Sequence, residues 1–385
     1  MTKNRKIRRR TFVLGLGAFV LASKLKDLHK PTQAANYANR DFAVAGSKPL
    51  RDRFASKGLL YGAAVSQRVL SSDKAFAKSF ATECAILVPE NELKWKALRP
   101  TPDRFNFAPG DWLAKFARSH NMLLRGHTLV WHDGLPDWFA REVDSRNAEQ
   151  MLQQHIATVV KHYAGKIHSW DVVNEAINPD DGRADGLRQW PWLQFLGPDY
   201  IEIAFRAAHK ADPQAMLVYN DHHLDYDTSD QEARRTAVLK LLERLKSRGT
   251  PIHALGMQAH LQGDSNRFNP KKLRAFMHDV ASLGLKIMIT EMDVTDQKLP
   301  KNIDTRDRII AGSYQDYLAV ALEEPAVIAV LTWGLSDRYT WLSREKSRKD
   351  RAPVRPLPLD AQLKRKLAWN AIARAADSAP SRKVS

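Results

Sequence analysis

A chain of 385 residues, 44% of them hydrophobic, is long enough for one large buried core, and its single cysteine excludes an intrachain disulfide framework. The net charge of +17 invites a nucleic-acid reading, but residues 1–45 hold ten Lys or Arg against two Asp, leaving +9 for the remainder, and no helix shows a continuous basic stripe. The residual charge, clustered at Arg344 to Arg355 and at Arg382 and Lys383, points to solubility or attraction to an anionic surface, with no nucleic-acid partner.

In chain order, a basic run, Lys3 to Arg10, precedes an apolar stretch, Phe12 to Ala22, too short to span a bilayer. Arg9-Arg10-Thr11-Phe12-Val13 resembles the twin-arginine consensus, so residues 1–45 are expected to be an export signal and N-terminal segment, with no transmembrane domain. Cleavage is expected after Ala22 or after Ala43-Val44-Ala45. A mature protein without disulfides fits folding before export.

From about Ser47 helical and strand-like runs alternate. Expected helices are Leu50 to Lys57, Ser72 to Phe80, Asp111 to His120, Ala148 to Tyr163, Tyr200 to Ala211, Asp230 to Arg248, Asn269 to Leu283, Asp307 to Leu322 and 360–376. Expected strands are Leu59 to Ala64, Ala85 to Val88, Leu123 to Val130 (interrupted at Gly126 and His127), Ile167 to Val173, Ala215 to Tyr219, Ala254 to Gln258, Lys286 to Thr290 and Val327 to Thr332. Residues 177–198 read as a long loop. The alternation predicts a (β/α)8 TIM barrel, a single catalytic domain over 46–376, followed by a loose tail, 377–385.

Polar residues recur at the C-terminal ends of these strands: Glu90, Asn91 and Lys94; His127, Trp131 and His132; Asn174 and Glu175; Asn220 and Asp221; Gln258 and His260; Glu291 and Asp293; and Trp333. In a barrel that end is where chemistry is done. No Gly-x-Gly-x-x-Gly follows the first strand and no Gly-Lys-Ser cradles a phosphate. No His-Glu-x-x-His or Gly-x-Ser-x-Gly occurs, and Cys84 lies in an apolar run as a buried small side chain. Neither metal nor cofactor is expected. Two glutamates among amides and tryptophans suit glycoside hydrolysis, in which one carboxyl donates a proton and the other stays ionised.

Pro89-Glu90-Asn91-Glu92-Leu93-Lys94-Trp95, Arg125-Gly126-His127-Thr128-Leu129-Val130-Trp131-His132, Trp170-Asp171-Val172-Val173-Asn174-Glu175, Tyr219-Asn220-Asp221, Gly256-x-Gln258-x-His260, Thr290-Glu291-Met292-Asp293 and Trp333-Gly334 occur in that order. The ordered series resembles glycoside hydrolase family 10, the endo-1,4-β-xylanases, from about Leu50 to Trp369. The resemblance implies Glu175 as acid/base and Glu291 as nucleophile of a retaining double displacement on xylan and xylo-oligosaccharides. It implies that Asn174 binds the 2-hydroxyl at subsite −1, that His260 bonds Glu291 and is oriented by Asp293, and that Gln258 supports Glu291. That setting would keep Glu291 ionised while Glu175, in a less polar one, holds its proton. His127 would contact the −1 sugar, Glu90, Asn91 and Lys94 the next sugars on the glycone side, and Trp131, Trp333 and Trp341 would wall the inner subsites. A secreted monomer is expected, with a glycosidase favouring β-1,4-glucan or short β-glycosides as the alternative. The chain departs from the family pattern at Asp133-Gly134 and at His222-His223, positions that touch the leaving-group side.

Overall fold

The computed structural model describes residues 37–265 and 267–382. Eight parallel strands close on themselves: β1 (Leu60–Val65), β2 (Ile86–Pro89), β3 (Leu123–Gly126), β4 (Ser169–Asn174), β5 (Met216–Asp221), β6 (Ala254–Met257), β7 (Lys286–Thr295) and β8 (Val327–Thr332). The ring is sealed where Leu60 of β1 stands opposite Ala329 of β8. Two short segments, Val130–Trp131 and His260–Gln262, extend it at its C-terminal mouth beside β4 and β7.

A long helix follows each strand: α1 (Lys74–Glu83), α2 (Ala108–Ser119), α3 (Ala148–His162), α4 (Tyr200–Ala211), α5 (Ser229–Ser247), α6 (Pro270–Ser282), α7 (Ile303–Ala321) and α8 (Leu367–Ser378). Their starts follow from local chemistry. Asp73, Thr228, Asn269 and Asn302 accept bonds from first-turn amides, and Pro270 opens α6 where its missing N–H costs nothing. The closing helix begins at Leu367 rather than 360, because Asp360 Oδ1 takes the amides of Gln362 and Lys364 at 2.8 Å each and winds that segment into a turn. No helix among the described residues is long and apolar enough to cross a membrane.

Strand side chains sort by period two. Ile86, Val88, Val218, Met288, Ala329 and Leu331 fill the barrel interior, while Leu217, Tyr219, Ile287, Ile289 and Val330 pack outward under the helices. Three strands break the period. Between Val327 and Ala329 of β8, two steps face one on β7, from Ile287 to Met288; between Val330 and Thr332, two steps face three on β7, from Ile289 to Met292; between Val218 and Tyr219 of β5, one step faces two on β4. Each extra residue is a β-bulge.

The export signal expected at 1–22 lies outside the described residues. Tyr37 to Gly46 are packed on the barrel: Tyr37 and Phe42 are buried, and the Tyr37 hydroxyl donates to Asp316 at 2.9 Å. The tail expected to be loose is tied down through 382. Asp377 and Ser378 complete α8, Ala379 is buried, and Arg382 donates to the carbonyls of Leu322 and Glu324 at 2.7 and 2.9 Å.

Candidate active site

The thirteen side chains given catalytic, supporting or sugar-binding roles above line one cleft of about 740 Å³ at the C-terminal mouth of the barrel, while His132, Asn220 and Asp221 stand behind its lining. The bulges decide which way the carboxylate strands point. On β7, Met288 and Thr290 face inward; the extra residue then lets Glu291 follow Thr290 inward, sends Met292 outward, and returns Asp293 to the cleft. β7 therefore runs five residues beyond the expected Thr290, and Glu291 lies within it. On β4 the bulge puts Val172 and Val173 both into the outer core and turns Asn174 to the cleft. Glu175 then takes φ +57°, a conformation uncommon for a residue with a Cβ. It is pinned by its own N–H to Asn220 O (2.9 Å) and by Arg188 Nε to its carbonyl (2.8 Å).

Glu291 is 5% exposed, and its Oε1 accepts from Asn220 Nδ2 at 2.7 Å. Its Oε2 lies 3.2 Å from His260 Nε2, His260 Nδ1 is 3.0 Å from Asp293 Oδ1, and Trp341 Nε1 donates to Asp293 Oδ2 at 2.8 Å. Burial alone would discharge His260, but Asp293 and then Glu291 push its pKa well above the ordinary imidazole range. Burial alone would also raise Glu291, yet the hydrogen bond and positive charge of His260 hold it below the usual glutamate value. Glu291 is kept ionised.

Glu175 is not in the less polar setting expected. Its Oε1 accepts from Gln258 Nε2 at 2.9 Å and from Asn174 Nδ2 at 3.2 Å, and its Oε2 is 3.7 Å from His132 Nδ1. Burial raises its pKa and the Gln258 bond opposes that, lowering the carboxyl in the open cleft; His222, whose own pKa burial brings down to about 3, adds its charge only in acid. Gln258 therefore supports Glu175; toward Glu291 it offers only its backbone carbonyl, at 3.0 Å from the Glu291 amide.

Asn220, to which its place at a strand end assigns no role, is the keystone of the site. Its Nδ2 donates to Asn174 Oδ1 (2.8 Å) as well as Glu291, and its Oδ1 accepts from Thr290 (2.7 Å). The carboxyls are thus joined as Glu175–Asn174–Asn220–Glu291. Gly256 gives this bridge room: a Cβ there would sit 2.2 Å from Asn220 Oδ1. A second chain escaped the sequence reading. Arg125 pairs with buried Asp171, whose Oδ2 meets His127 Nδ1 at 2.9 Å. Its signal was a charged residue in each of two buried strands, Arg125 two positions before His127 and Asp171 inside Trp170 to Val173.

On the opposite wall Lys94 Nζ lies 4.9 Å from the Trp131 ring centre and 5.9 Å from that of Trp333. Asn91 Oδ1 accepts from it at 3.3 Å. Burial lowers the Lys94 pKa despite nearby Glu291 and Glu90, and burial raises that of Glu90.

Fold and cleft define a (β/α)8-barrel protein whose mouth holds two amide-bridged glutamates, one of them backed by a His–Asp–Trp chain. Residues 49–375 match the family described as glycosyl hydrolase family 10, and the chain belongs to that family. It is 34% identical over 369 residues to Exoglucanase XynX of Acetivibrio thermocellus, with 91% of this chain and 32% of that one covered. It is 36% identical to Endo-1,4-beta-xylanase B of Thermotoga neapolitana over 68% of this chain and 72% of that one. The chain thus spans about a third of the first relative, and 26% of Endo-1,4-beta-xylanase A of Thermoanaerobacterium saccharolyticum. The solved structure of xylanase 10B from Thermotoga petrophila in complex with xylobiose superposes with a TM-score of 0.78 at 32% identity, covering 87% of this chain and 99% of that one.

Proposed function

We propose that the protein is a retaining endo-1,4-β-xylanase acting on xylan and xylo-oligosaccharides. The observation that carries this reading is the asymmetric carboxylate pair: Glu291 is locked as an anion by His260 and Asn220, while Glu175 stands across the amide bridge at the leaving-group side. The xylanases among the relatives supply the sugar.

In the first step Glu291 attacks the anomeric carbon as the glycosidic C–O bond breaks, and Glu175 gives its proton to the departing oxygen. In the second, Glu175 takes a proton from water, which displaces Glu291 from that carbon. Glu175 must be protonated for the first step, although its donors favour the anion in the open cleft. A sugar over the carboxyl removes water and offers the glycosidic oxygen as an acceptor, and both changes favour the protonated form. Retention requires the carboxyls to stand about 5–5.5 Å apart.

Proton NMR of the first anomer released from a linear xylo-oligosaccharide tests the mechanism. Early β-anomer from wild type and loss of turnover by about a thousandfold or more in Glu291→Ala support it; early α-anomer rules it out. The relative named an exoglucanase keeps a β-1,4-glucan reading in play, and faster turnover of carboxymethylcellulose than of xylan would establish it. We further propose one catalytic domain, in which the packed segments 37–46 and 377–382 belong with 46–376, and export by the twin-arginine route, for which the Arg9-Arg10 motif is the support. An Arg9→Lys, Arg10→Lys variant that is exported normally would exclude that route.

A further inference from the structure

The cluster Arg344 to Arg355 was left without a use by the active site, and the structure divides it in two. Arg348 is buried, donating to Asp350 at 3.0 and 2.8 Å and to Leu299 O at 2.9 Å, and Arg355 forks onto Asp307 at 2.7 Å twice. These arginines hold the loop after β8. Arg344 and Lys346 are exposed, line the cleft, and pair with no carboxylate among the described residues. The remaining cation of that rim, Lys298, is occupied by Asp264 at 3.2 Å. Glu345, between them in sequence, also lines the cleft. Trp341, whose carbonyl accepts from the Arg344 amide at 3.1 Å, lines a small cavity together with Glu90, which places Arg344 on the Glu90 side of the cleft; its charge there favours the ionised form of Glu90.

An unbranched xylose chain is neutral and offers two unpaired cations hydroxyls but no opposite charge. We propose that Arg344 and Lys346 form a subsite for a carboxylate carried by the polysaccharide, the uronic-acid side group of an acidic xylan, on a sugar bound on the Glu90 side. The proposal rests on the xylanase reading and adds the decoration that the cleft selects. A guanidinium takes a carboxylate in a two-pronged bond and the flexible ammonium adds a point charge. Exposed contacts of this kind are individually weak, so the preference should be about threefold to tenfold. It should fade in salt.

The test uses a xylo-oligosaccharide with one uronic-acid branch and its carboxyl-reduced twin, equal in shape but neutral. Wild type should show a kcat/KM about threefold to tenfold higher on the acidic one at low salt, the ratio falling toward one at about 0.5 M salt. An R344A/K346A variant should lose the ratio while turning over linear xylohexaose, and melting, as wild type does. No preference in wild type, or a preference that survives in the double variant, overturns the subsite. Calorimetric binding of both oligosaccharides to Glu291→Gln, with and without the double substitution, separates the two readings. Salt-sensitive binding preference without hydrolysis of any xylan would keep the subsite and remove the xylanase assignment. Neither binding nor hydrolysis would remove both.

Discussion

Asn220 shows how much of the chemistry rests on a residue that need not touch the broken bond. It fixes one oxygen of Glu291 and, through Asn174, the carboxyl of Glu175. Asn220→Ala should lower kcat about a hundredfold or more, the scale of a small misplacement of reacting groups. KM should change little, a split that steady-state kinetics on xylohexaose reads directly. Its neighbour Asp221 has a different effect. Full burial, only partly offset by Arg234 and the Tyr219 hydroxyl, raises its pKa to about 6. A carboxyl with a raised folded pKa binds its proton more tightly in the folded state than in the unfolded chain. Between pH 4 and 6 the folded state therefore holds more protons, and the stability tied to Asp221 falls as pH rises through that window. The difference is on the order of 2–3 kcal/mol. Asp221→Asn should remove it, so that the melting temperature of the variant relative to wild type climbs from pH 4 to pH 6 and then levels off.

At the scale of elements, the segment 37–46 behaves as part of the barrel rather than as a leader. The Tyr37 ring covers Gly312 of α7, where a Cβ would meet it at 2.5 Å, while Arg374 donates to Ala43 O (2.9 Å) and Arg53 to Ala45 O (2.7 Å). Cleavage after Ala45 would discard the buried Tyr37 and Phe42 rings, each worth about 1.5–3 kcal/mol. A chain beginning at Gly46 should therefore melt about 5 °C or more below one beginning at Ser23, on the usual conversion of a few kcal/mol for a domain of this size. Intact-mass measurement of the exported protein should accordingly place its first residue upstream of Tyr37. The bulged strands β4 and β7 carry the same lesson for the site. Deleting one residue at either bulge would restore the period and swing a catalytic strand end away from the cleft.

Across the whole molecule, the outer core of helices and strands is continuous from Tyr37 and Phe54 through Trp170 and Tyr219 to Trp369 and Ala379. One continuous core predicts one cooperative transition, and calorimetry of the chain beginning at Ser23 should show a single unfolding peak; two separable peaks would contradict the single-domain proposal. The alternation of helix and strand, the start of α6 at Asn269 and Pro270, and the polar residues at strand ends were legible in the sequence, because each depends on residues within a few positions of one another. So was the family, through the order of its motifs. The closing helix was misplaced because a side-chain turn at Asp360 competes with helix over seven residues. Tertiary structure alone decided the inward turn of Glu291 and Asn174, since a bulge exists only against the register of a neighbouring strand. It also decided that Asn220 bridges the carboxyls, that Gln258 serves Glu175, and that the Glu175 carboxyl is held down in the open cleft. Those outcomes depend on which strand ends converge around the mouth, and periodicity along one chain carries no information about distance across a barrel.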